Sequence, residues 1–135
     1  MKVLVTGAAG RLGSCVCRLL SELGVAFIAV DRVLDDQAEY PVRQVDSLDW
    51  ETCNDLLAGI DVLVHFANHT KWNCNAPQEV FNANTAMNMN LFQAAANAGC
   101  RRIVFSSSIQ VFDGQLPTDD REVHDIVLPY IPIDS

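Results

Sequence analysis

The chain has 135 residues, 50% of them apolar and 19% charged, with 7 Gly and 5 Pro, a balance that excludes a disordered segment and fits one globular domain. Its formal charge is −8, and after residue 112 six acids face a single base, Arg121. A phosphate backbone calls for the opposite sign, so nucleic acid is not the expected partner.

Met1-Lys2 leads directly into Val3-Leu4-Val5, an apolar run too short for a secretory core. No later stretch approaches the roughly 20 apolar residues of a membrane span. A cytoplasmic protein with no membrane partner is the expectation. Cys15, Cys17, Cys53, Cys74 and Cys100 are odd in number and spread over different elements, which suits reduced, structural thiols.

Lys2 to Thr6 reads as a strand ending at Gly7. The apolar set Leu12, Cys15, Val16, Leu19, Leu20 and Leu23 then recurs at helical spacing up to Gly24. Val25 to Val30 is an unbroken apolar run, the pattern of a strand covered on both faces. A polar loop from Asp31 to Pro41 leads to a third strand at Val42 to Val45. Asp49 to Ala58 is a short helix stopped by Gly59, and Asp61 to Phe66 a fourth strand. Ala76 to Ala98 is a long helix stopped by Gly99, with a core stripe of Val80, Ala83, Met87, Leu91 and Ala94; Arg102 to Ser106 is a fifth strand. Residues 107–135 show no periodicity and read as loop. Strands alternating with helical crossovers predict an α/β fold, a doubly wound parallel sheet of strand order 3-2-1-4-5, with ligands at the carboxyl ends of its strands.

Thr6-Gly7-Ala8-Ala9-Gly10-Arg11-Leu12-Gly13 joins the first strand to the first helix. Gly7 permits a tight turn, Gly10 lets backbone N–H groups approach a pyrophosphate, and Gly13 permits close helix packing. Arg11 and Leu12 open the helix whose amino terminus faces the negative charge. Asp31 ends the second strand, where a carboxylate accepts hydrogen bonds from the adenosine ribose hydroxyls. That carboxylate would repel a 2′-phosphate, so NAD is expected over NADP, although Arg32 offers a guanidinium that could pair with such a phosphate. His65 and His69 straddle the end of a strand, where an i, i+4 spacing does not place two side chains on one face, and with no third ligand evident no metal is expected.

The spacing G-x-x-G-x-x-G with a leading Thr resembles the extended short-chain dehydrogenases/reductases, the NAD-dependent epimerase/dehydratase family. Further segments match in order. Asp46-Ser47 looks like the family's adenine-contacting Asp, though an acid there also favours the next helix by its charge. His65-Phe66-Ala67-Asn68 is similar to H-[FL]-A-[AG], with Phe66, Ala67 and Asn68 lining the cofactor cleft and small Ala67 leaving room for the ribose. Asn84 matches the family's helix Asn, while most of Asn82, Asn84, Asn88, Asn90 and Asn97 read as ordinary solvated positions. Val104 to Phe112 is similar to V-F-x-S-S-x-x-V-Y. The resemblance implies that Ser108 hydrogen-bonds the substrate oxygen and that Ser106 and Ser107 serve the turn or the nicotinamide ribose. A run in which all three hydroxyls only satisfy loop backbone is the alternative. Lys71, Trp72 and Cys74 precede the long helix, either at a substrate mouth or in a plain exposed loop.

The family's proton relay uses Tyr with Lys four residues later, and these residues hold no Y-x-x-x-K: Gln44 and Asp134 stand four after Tyr40 and Tyr130. Pro129 and Pro132 flank Tyr130 and Asp134 would raise its pKa, which argues against it as the base. Phe112 and Asp113 also depart from the pattern. The resemblance therefore implies an NAD-binding part, residues 1–112, followed by an acidic, Pro-containing segment, 113–135. That segment leads toward a sixth strand and a substrate domain not found in these residues. The implied parent activity is hydride transfer on a nucleotide sugar or related polyol, with these residues inactive alone and self-association through bare apolar surface compatible with the composition. A non-catalytic NAD(P)-binding sensor or interaction domain is the rival reading.

Overall fold

The computed structural model describes residues 1–35, 37–69 and 77–107. The elements run β1 (Lys2–Thr6), α1 (Arg11–Glu22), β2 (Ala26–Asp31), β3 (Val42–Gln44), α2 (Trp50–Leu57), β4 (Val62–His65), α3 (Pro77–Asn97) and β5 (Arg102–Phe105). All four strand pairings are parallel and the order is β3-β2-β1-β4-β5, as the alternation of elements predicts. Residues through Phe105 form one compact unit. Ser106 begins a second, of which only Ser106 and Ser107 are described.

Successive side chains of a strand point to opposite faces, and the central strands use both. Leu4 of β1 and Leu63 of β4 face α2 and α3, packing with Leu57, Met87, Leu91, Ala94 and Ala95. Val3, Val5 and Val64 face the other way, with Cys17, Val16 and Leu20 of α1. Asp49 caps α2, its side chain accepting from Glu51 N and from the Thr52 hydroxyl. At the amino-terminal ends of the strands Asp61 accepts from Lys2 N at 2.7 Å and from Arg101 at 3.1 Å, tying the starts of β1, β4 and β5 together.

Two details differ from the sequence reading. The buried face of α1 is Gly13 and Cys17, flanked by half-buried Val16 and Leu20, while Leu12, Leu19 and Leu23 are more than half exposed. The glycine pulls the helix onto the turn after β1, and that contact, not the largest side chains, sets its rotation. In β2 only Ala29 and Val30 are fully buried, with Ala26 exposed, because β3 pairs only from Ala29 onward. Among the described residues no helix is long and apolar enough to cross a membrane.

Leu63 has no exposed surface and sits at the centre of the larger cluster. Leu63→Ala should cost roughly 2–5 kcal/mol in urea unfolding, through lost transfer energy and the cavity left behind. A loss under about 1 kcal/mol would show that this face of the sheet is not packed as described.

Candidate functional site

The carboxyl ends of β1, β2 and β4 open into a cleft of about 730 Å³. Its floor is the turn between β1 and α1. Gly7 has φ +71° there, and a side-chain carbon would come 2.5 Å from Ala67 N and 2.6 Å from the Phe66 carbonyl carbon. A side-chain carbon on Gly13 would overlap the Gly7 carbonyl. Both positions accept only hydrogen, so the start of α1 lies directly on the turn.

The turn's amides divide into two groups. Ala8 N donates to Val30 O at 3.1 Å, Ala9 N to Asp31 Oδ2 at 3.0 Å, and Gly10 N to Gly7 O at 3.0 Å. The first bond of the helical ladder is Ser14 N to Gly10 O, and Gly10, as the N-cap, offers no side chain. The N–H groups of Arg11, Leu12 and Gly13 therefore precede the ladder, and all three residues line the cleft. Such a set of convergent donors, with the positive end of the helix dipole, suits an anionic group.

Asp31 ends β2 in the same cleft. Its carboxylate is held at both oxygens, Oδ2 by Ala9 N and Oδ1 by Val33 N at 3.0 Å. Each oxygen keeps a lone pair for a further donor. Asp46 Oδ1 accepts from Leu48 N at 3.0 Å, closing a turn that sets Ser47 and Leu48 along the wall.

The end of β4 is held by a polar chain through the core. Thr6 Oγ1 lies 2.6 Å from His65 Nδ1, and His65 Nε2 lies 2.8 Å from Asn88 Oδ1. The Asn88 oxygen only accepts, so Nε2 carries the proton and Nδ1 accepts from the Thr6 hydroxyl. Thr6 Oγ1 in turn accepts from Ala67 N at 3.4 Å. The imidazole is fully buried and stacks on Phe105, ring centres 5.4 Å apart, with Phe92 edge-on. Burial pushes its pKa below the ordinary histidine range, against the opposing effect of the Asn88 hydrogen bond. His65 thus has both nitrogens in use.

Every residue of the expected cofactor set from Gly7 to Asn68 lines this one cleft, joined by Ala9 of the same glycine-rich turn and by Val30, Val33, Val45, Leu48, His69 and Met87, which no sequence motif marks. Asn84 stands apart. Its carboxamide accepts from His69 N at 2.8 Å and donates to His69 O at 3.1 Å, so it shapes the wall by gripping the backbone and is not itself among the lining residues. Two further Asn of α3 have structural partners that the sequence did not single out. Asn88 holds His65, and Asn90 Nδ2 donates to Leu48 O at 2.9 Å and Ser47 O at 3.3 Å. Periodicity misses these roles because their partners are 23 to 43 residues away. Ser106 follows β5, and Ser107 has φ +54°. Ser108, Lys71, Trp72, Cys74, Tyr130 and the segment 113–135 lie outside the described residues.

The sequence model of the NAD dependent epimerase/dehydratase family matches residues 3–130. The chain belongs to this family. Sterol demethylase protein B of Methylococcus capsulatus is 33% identical over 98% of this chain and 42% of its own length. UDP-glucose 4-epimerase 3 of Oryza sativa subsp. japonica is 32% identical over 82% of this chain and 35% of its own. A short-chain dehydrogenase/reductase superfamily protein of Agrobacterium tumefaciens, solved with bound NAD, superposes with a TM-score of 0.78 at 27% identity, over 88% of this chain and 36% of that one. The chain thus spans about two fifths of the length of such relatives.

In the unfolded chain His65 takes up its proton near pH 6.5, whereas the buried imidazole resists it. The stability held by keeping this ring neutral is therefore present above about pH 6.5 and is lost as pH falls toward the depressed folded value. Urea unfolding at pH 7.5 and pH 5.5 should show a larger loss of stability on acidification in the wild type than in His65→Gln. Equal losses would mean that the buried ring does not resist protonation.

Proposed function

We propose that these residues form the NAD-binding part of an epimerase/dehydratase-type oxidoreductase whose whole chain acts on a nucleotide sugar or related polyol by hydride transfer. The observation that carries the proposal is the meeting, in one cleft, of the three unladdered N–H groups of α1 and the fixed Asp31 carboxylate. The two are what a dinucleotide requires: donors for its diphosphate and an acceptor for the adenosine ribose hydroxyls.

In this reading Asp46 and Ser47 meet the adenine. Phe66, Ala67 and Asn68 follow the ribose toward the nicotinamide, and Arg32 stands beside the ribose. Asn84 acts from behind, through His69. When bound, NAD supplies a hydride acceptor; the protein's part is to hold it and to exclude other poses. In this reading the Ser108 hydroxyl hydrogen-bonds a substrate oxygen, and Ser106 serves the backbone turn after β5 or the nicotinamide ribose. No Y-x-x-x-K occurs in the 135 residues, so they hold the cofactor without a general base. A missing base of this kind costs about 10²- to 10⁴-fold in rate.

Calorimetric titration tests the cofactor assignment. NAD should bind at least tenfold more tightly than NADP, and Asp31→Asn should weaken NAD about tenfold, or ~1.4 kcal/mol, while narrowing the preference. Equal or tighter binding of NADP by the wild type would overturn the role given to Asp31. The same 135 residues, supplied with NAD and UDP-glucose, should form neither NADH nor an epimerised or dehydrated sugar nucleotide; turnover to any of these would contradict the missing base.

A further inference from the structure

Between β2 and β3 the chain makes a polar loop, and Tyr40 near its end is the exception in it. The ring is 8% exposed and meets Phe27 edge-on, centres 5.8 Å apart. Its hydroxyl donates at 3.1 Å to the carbonyl of Ala8, 32 residues earlier in the chain. Ala8 is fully buried and does not line the cleft, but its neighbours Gly7 and Ala9 do.

Both polar groups of Ala8 are thus engaged, the N–H by Val30 of β2 and the carbonyl by the loop that leaves β2. The next amide, Ala9 N, is held by Asp31. Among the described residues Tyr40 supplies the one tie between the far end of that loop and the glycine-rich turn. The loop's other side-chain bonds stay within it or run to β3: Val33 N to Asp31, Gln37 N to Asp35, and Gln44 to Arg32 O. The near end of the loop, Arg32 and Val33, walls the cleft.

We propose that Tyr40 is a positioning residue for the dinucleotide, its hydroxyl latching the loop after β2 onto the phosphate turn so that the turn and the ribose-side wall keep one fixed spacing. The proposal rests on the cofactor reading above and adds to it a residue outside the cleft. Burial, with the Cys17 thiol alongside, pushes the phenol up to about 12. Burial likewise pushes the thiol up to about 11. Both groups therefore stay neutral at working pH, and the hydroxyl remains a donor to Ala8.

The test compares two variants of the same apolar cluster. Tyr40→Phe keeps the ring and removes the hydroxyl, with its bond to Ala8 O and its contact with the Cys17 thiol; Phe27→Leu loosens the packing around the ring and leaves the hydroxyl. Binding of NAD is measured by calorimetry and backbone amide exchange is followed in the free protein. Tyr40→Phe should bind NAD five- to tenfold more weakly. Its exchange should quicken at Ala8, Ala9 and Gly10 and stay unchanged at Leu4 and Leu63. Phe27→Leu should melt at a lower temperature yet bind NAD within twofold of the wild type. The proposal is overturned if Tyr40→Phe binds NAD as the wild type does, or if both variants lose affinity equally, since packing alone then accounts for the loss. A wild type that binds no NAD would instead defeat the cofactor reading itself, and the positioning role with it.

Discussion

Helix α1 can begin where it does only because a hydrogen stands in place of a side chain at Gly13, against the Gly7 carbonyl, and at Gly7, against the backbone of Phe66 and Ala67. This contact brings β1, α1 and the end of β4 to one point. It also decides which face of α1 is buried, turning Leu12, Leu19 and Leu23 outward in spite of their size. Arg11, Leu12 and Gly13, whose amides precede the helical ladder, line the cleft as a consequence. Packing geometry, rather than any single polar residue, leaves the first amides of the helix free for the anion that the proposal assigns to them.

Around that point the polar side chains serve mostly to hold backbone. Asp31 grips the turn through Ala9, Tyr40 grips it through Ala8, and Asp46 shapes its own segment through Leu48. From the opposite side of the sheet α3 sends Asn84 to His69, Asn88 to His65 and Asn90 to Ser47 and Leu48. One helix thereby holds two parts of the cleft wall, at His69 and at Ser47–Leu48, and the end of β4 behind it at His65. Among the described residues no fully buried side-chain nitrogen or oxygen lacks a partner, as expected where an unpaired group would cost about 1–3 kcal/mol.

The sheet was legible because its determinants are local. The apolar run of β1, the glycines closing the helices and the alternation of elements lead to order 3-2-1-4-5 without reference to distant partners. The glycine-rich turn and Asp31 were legible for the same reason, since their residues follow one another across a single strand–helix–strand unit. The rotation of α1 was not, because hydrophobic spacing weights large side chains and gives no weight to a glycine whose value lies in closeness. Tyr40 was hidden by sitting in a polar loop, where no apolar periodicity marks a buried ring. Thr6, His65 and Asn88 belong to three elements and join only when the sheet is assembled. A histidine closing a strand, in register with a threonine closing its neighbour, is the one sign of that chain the sequence carries.

The central claim is that the first three amides of α1 receive the diphosphate of the dinucleotide. Amide chemical shifts followed while NAD is titrated into the protein test it most directly. The account predicts that the largest changes fall at Arg11, Leu12 and Gly13, with smaller ones at Val33, Ala67 and Asn68. If these three amides stay unmoved while shifts change elsewhere, for instance in the shallower hollow between Ser21, Glu39 and Arg43, the cleft has been assigned the wrong ligand.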